Sequence, residues 1–204
     1  MKGLLLKDYY TLLKQLKLYL VFIVILSLIP EMNLSRIASI YAAMLPITAI
    51  AFDERSKWDQ LAAMMPYSKR DLVLSKYLIG YVGVVFCCLL SFVIQGVIYL
   101  VTKQPVTSEV ALTIVITACA ALILLAINLP FMFRLGVERG RVVFMVLIAV
   151  TVFIGMMSAE SAKQVLETST MTPLMLLVIS GLSALVVNIA SILISLRIYR
   201  NKTV

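Results

Sequence analysis

Long apolar runs and short charged breaks alternate along the whole chain. A membrane-spanning helix needs roughly 20 mainly apolar residues. Stretches near that length run over about 15–32, 37–52, 78–101, 110–133, 142–158 and 173–196. The second and fifth are short, so they begin or end in the headgroup region. The pattern predicts an all-α, polytopic membrane protein with about six transmembrane helices, residues 1–204 forming a single transmembrane domain.

The polar breaks predict further elements. Over residues 1–15, Leu4, Leu5 and Leu12, continued by Leu16, interleave with Lys7, Asp8, Lys14 and Lys17 at roughly helical spacing. That suits an amphipathic helix in the membrane interface, anchored at headgroup level by Tyr9, Tyr10 and Tyr19. In the longest break, 53–76, Ser56 followed by Asp59 resembles a helix N-cap with an acid three positions on. Trp58, Leu61, Ala62 and Met65 then recur at the spacing of one helical face. Pro66 disfavours continuation, and Ser68 with Asp71 reads as the cap of the next helix. A short amphipathic helix bounded by breaks is expected, carrying the chain's single tryptophan. It either lies on the headgroups or docks onto a partner. The other breaks are too small for a receptor or enzyme domain.

Charge fixes the orientation. Of the 18 Lys and Arg residues, only Arg36, Lys103 and Lys163 fall on the side away from the N-terminus, the 53–76 loop, the 134–141 loop and the tail. Positive residues mark the cytoplasmic side, so both termini are expected in the cytoplasm. This distribution also gives the net charge of +8 a topological meaning and argues against nucleic-acid binding, which needs a basic stripe on a polar domain. A content of 62% hydrophobic and 14% charged residues, against about 45–50% and 25% in soluble domains, requires lipid as the solvent.

Candidate chemistry is sparse. The chain has no histidine, which removes histidine bases and histidine metal ligands together. Cys87, Cys88 and Cys119 lie in apolar runs and read as small buried hydrophobes. No cleavable signal peptide is expected. Within the spans, Gln95, Asn128 and Asn188 are either helix–helix glue or part of a substrate path. Charged residues are missing from the span centres, which argues against an ion-coupled transporter or an intramembrane protease.

Four stretches carry a family resemblance: Met1–Asp8, Phe52–Asp59, Met65–Leu78 and Pro130–Arg141. In these the chain resembles the ABC-2 type permeases, the membrane subunits of ATP-binding-cassette exporters. It is most similar to the small bacterial permeases related to the phenol-soluble-modulin exporter. The resemblance implies a coupling helix between the second and third spans, here about Lys57–Met65. The implied ATPase-coupling residues are Asp53, Glu54, Arg55, Lys57, Trp58, Asp59, Leu61, Ala62 and Met65. A second cytoplasmic contact is implied at Arg134, Glu138, Arg139 and Arg141.

The family also implies a homodimer or heterodimer of permeases bound to two copies of an ABC ATPase. The sequence has no G-x-x-x-x-G-K-[ST] phosphate loop, so ATP and Mg belong to that partner and no cofactor is expected in this chain. The expected function is alternating-access export, across a bacterial cell membrane, of an amphipathic peptide, an antimicrobial or a lipid-like molecule. Met132, Met145, Met156 and Met157 would suit such cargo, although Met also fills ordinary cores. A non-ABC channel or secondary transporter, or a membrane scaffold, is the alternative.

Overall fold

The computed structural model describes residues 3–13, 34–65, 67–102, 108–150 and 173–201, and no strand occurs among them. Helix α1 is seen over 3–13. It is followed by α2 (Leu34–Arg55), α3 (Trp58–Ala63), α4 (Lys69–Thr102) and α5 (Ser108–Leu135). Helix α6 is seen over 137–150, and α7 is Pro173–Asn201. Among the described residues, three stretches are long and apolar enough to cross a membrane: Lys69–Ile94, Ala111–Leu135 and Leu177–Asn201. They hold most of the expected third, fourth and sixth spans. The expected first span, the far half of the fifth and the 159–172 loop lie outside the described residues.

The centre of the bundle is α2, packed against α4 and α5, while α7 lies along α5 and α4. Small side chains explain why α2 can occupy the middle: Ala42, Ala43, Ala49 and Ala51 are all buried. Glycines on α4 allow the close approach. A Cβ at Gly80 would meet Leu125 Cδ1 at 2.2 Å and the Pro46 ring at 3.0 Å, and one at Gly83 would meet Leu45 Cδ1 at 2.6 Å. Helix α4 has 34 residues, about 51 Å at 1.5 Å per residue. That exceeds the roughly 30 Å of a bilayer's hydrocarbon, so its charged first turns stand outside the membrane.

Between α4, α5 and α7 runs a directional chain of hydroxyls. Pro130 lies inside α5 and has no N–H, so the Ala126 carbonyl four residues earlier loses its helical donor. The Ser191 hydroxyl of α7 donates to that carbonyl. With its one hydrogen used, Ser191 accepts from Tyr77 Oη on α4, 2.5 Å away. Tyr77 in turn accepts from Ser195, at 2.8 Å. Neighbouring helices commonly repair a proline break in this way where no water is at hand. Asn188 adds a parallel link: its amide donates to the Ala184 and Leu122 carbonyls and accepts from the Tyr81 hydroxyl.

Ser191→Ala should therefore cost about 1 kcal/mol of bundle stability, measured by thermal or denaturant unfolding in detergent. In the Pro130→Ala background, where residue 130 regains its N–H, the same substitution should cost measurably less. Equal costs in both backgrounds would contradict the assignment.

Candidate functional site

The charged ends of the helices converge at one end of the bundle. Helix α1 places Leu4, Asp8 and Leu12 one turn apart, and all three are buried. Asp8 is only 1% exposed, yet it carries a carboxylate on an apolar stripe. Such a charge is costly to bury unless paired, and the pairing organises this end. Lys76, from the third turn of α4, donates to both Asp8 oxygens at 2.9 and 2.8 Å. The same ammonium reaches Asp53, near the end of α2, at 2.5 Å. Lys7 pairs with Asp8 at 3.0 Å and with Asp53. Two acids and two bases from three helices thus form one closed, electrically neutral cluster.

Around the cluster sits the loop region singled out from sequence. Ser56 does not cap α3. Its hydroxyl donates back to the Asp53 carbonyl at 3.2 Å, which closes the end of α2, and Lys57 takes the N-cap position in a left-handed conformation with no side-chain cap. Helix α3 spans only Trp58–Ala63. The expected apolar face is divided: Ala62 is buried and Trp58 half-buried, whereas Leu61 and Met65 are exposed. Met64 is 86% exposed. The ammonium of Lys7 lies 4.2 Å from the Trp58 ring centroid, a cation–π contact that ties α3 to the charge cluster. Ser68 does cap α4, accepting the Asp71 N–H at 3.1 Å.

Glu54 connects this region to the second expected contact. Helix α5 ends at Gly136, whose φ of +80° is the left-handed stop that glycine supplies without a Cβ clash. Its N–H bonds the Met132 carbonyl at 3.1 Å, and α6 begins at the next residue. The Val137 N–H, which has no partner within α6, donates to Glu54 Oε2 at 2.9 Å. A carboxylate from α2 thereby caps α6 at the positive end of its dipole. Beneath α3 lies a cavity of about 150 Å³, lined among others by Asp53, Glu54, Trp58, Lys76 and Tyr199.

The other sequence-selected residues distribute as follows. Arg55, Lys57, Arg134, Glu138, Arg139 and Arg141 are exposed at the same end. The side chains of Asp59 and Gln95 lie outside the described residues. Asn128 is buried with neither amide atom hydrogen-bonded among them, and Asn188 is engaged between α4, α5 and α7. Met132 packs with Ile47 and Phe144 in the core. Sequence reasoning took Lys7, Asp8 and Lys76 as parts of polar breaks and missed their cluster. The available signal was Asp8 itself, four residues from Leu4 and four from Leu12, on the face that should have been apolar.

A family model described as ABC-2 family transporter protein matches residues 3–200. The chain belongs to the ABC-2 transporter family. It is therefore an integral membrane protein and the permease of an ABC transporter, a transport subunit in a family that works with an ABC ATPase. No curated protein matches the chain, and no solved structure does. In this ABC-2 permease the match spans every described helix, from α1 to all but the last residue of α7.

Lys76→Met should destabilise the permease strongly, on the order of 3 kcal/mol, because it leaves more negative than positive charge buried. Asp8→Leu with Lys76→Met, which removes one charge of each sign, should restore most of the loss. Unfolding midpoints of the single and double variants measure this. A double variant no more stable than Lys76→Met would count against the pairing.

Proposed function

We propose that this permease exports an amphipathic peptide, an antimicrobial or a lipid-like molecule from the cytoplasmic side, driven by a separate ATPase that grips α3. The observation carrying this reading is the division of α3. Its inner side, Trp58 and Ala62, is seated against the helix ends, while Leu61, Met64 and Met65 project outward. An exposed apolar tip on a short helix invites burial by a partner. Its base is tied to the ends of α1, α2 and α4 through Lys7 and the buried charges, and the end of α2 is in turn joined to α6 by Glu54. Force applied at α3 therefore reaches four helices without passing through a flexible linker.

The reading takes the charged end as cytoplasmic, with six spans and both termini on that side, as the distribution of Lys and Arg supports. Two permease copies would flank the cargo path and alternate its access, with ATP binding on the partner favouring one membrane conformation over the other. Exposed Arg134, Arg139 and Arg141 with Glu138 would provide a second contact for the ATPase. Asn128, buried with neither amide atom hydrogen-bonded among the described residues, is the strongest of the selected amides for a role in the path. The bilayer is that of a bacterial cell.

Leu61→Ala with Met64→Ala tests the reading without touching the buried cluster. With the cognate ATPase co-reconstituted in proteoliposomes, ATP-driven transport should fall at least tenfold, while the unfolding midpoint of the permease stays within a degree or two of wild type. Full transport by this variant would remove α3 from the coupling.

A further inference from the structure

Three unfavourable features meet at α3. Lys57, at its start, has φ 51° and ψ 37°, a left-handed conformation that crowds the Cβ of any residue but glycine. The indole Nε1 of Trp58, the next residue, is buried and has no acceptor among the described residues. A buried donor is costly to leave unsatisfied. Trp58 also lines the cavity of about 150 Å³, so there is room on its inner side to move. Backbone strain that persists at a switch region is commonly part of a two-state device.

The acceptor for the indole is close in the chain. Glu54, four residues before Trp58, lines the same cavity. Its Oε2 holds the Val137 N–H. Its Oε1 lies toward Gly136 and has no donor among the described residues. We propose that α3 has two seats: the outer one described above, and an inner one in which Lys57 leaves the left-handed region and the Trp58 indole donates to Glu54 Oε1. In the inner seat Glu54 bridges α3 and the first turn of α6, so a movement of the docking helix becomes a movement of α6. Lys7, which lies over the Trp58 ring, carries the same movement to the charge cluster. The biological use of the device rests on α3 being the docking element: a partner shifts the seats only by binding one more tightly than the other.

The single tryptophan makes the test direct. The permease, labelled with 15N at the indole and held in lipid nanodiscs without ATPase or nucleotide, gives one indole N–H environment per seat. Glu54→Leu removes the acceptor, and Lys57→Gly makes the left-handed outer seat inexpensive. Both should shift the indole proton upfield, or delete the downfield member of a pair. A resonance unmoved by Lys57→Gly overturns the two seats, as an indole satisfied by water in the cavity would also show. A resonance unmoved by Glu54→Leu overturns the acceptor. Neither result bears on docking, since the sample contains no ATPase; conversely, loss of the docking reading leaves the resonances as they are.

Discussion

Four charges withdrawn from water at one end of the bundle constrain everything built around them. Asp8, Asp53, Lys7 and Lys76 come from three helices, and two of them, Asp8 and Lys76, are almost fully buried. Desolvation makes each ion costly alone, and only the closed set offsets that cost. So α1 must lie where Asp8 meets Lys76, α2 must end where Asp53 meets both lysines, and α4 must begin about two turns before Lys76. An apolar contact tolerates sliding by an ångström or two; a bidentate ammonium–carboxylate contact tolerates much less. The cluster sets the register of the helix ends from which α3 projects.

Deeper in the bundle the same rule operates with hydroxyls in place of ions. Pro130 opens a carbonyl in α5, and Ser191, Tyr77 and Ser195 close it in a fixed order of donation. Gly80 lets α4 approach both α5 and α2, and Gly83 lets it approach α2. An ABC-2 permease must change shape without letting polar backbone groups face lipid. Among the described residues, the charge cluster holds the bundle at its end, and the hydroxyl chain with the Asn188 links holds it in its interior.

Periodicity alone revealed the apolar runs, the short helix after α2 and the Ser68 cap of α4, because each is a local property of neighbouring residues. It placed the start of α3 wrongly. Ser56 has the chemistry of an N-cap, but its hydroxyl donates to the carbonyl of Asp53, three residues earlier, and accepts no N–H of α3; the direction of the backbone at the left-handed Lys57 decides between the two. Lys57 in a left-handed turn has no compositional signature, since lysine gives no hint of positive φ. The charge cluster was hidden for a different reason: its partners are 46 and 68 residues apart, and pairing at that separation depends on how helices pack. The capping of Val137 by Glu54, 83 residues away, was invisible on the same grounds. The family match reaches every described helix but assigns no role to any of these side chains.

The central claim is that buried charge, and not apolar contact alone, fixes α1 to the start of α4. Spin labels at Tyr10 and Arg70, both exposed, report that attachment as a distance distribution in lipid nanodiscs. The account predicts one narrow distribution in the otherwise wild-type permease and a broad one when Lys76→Met is added. A narrow distribution unchanged by Lys76→Met would contradict it.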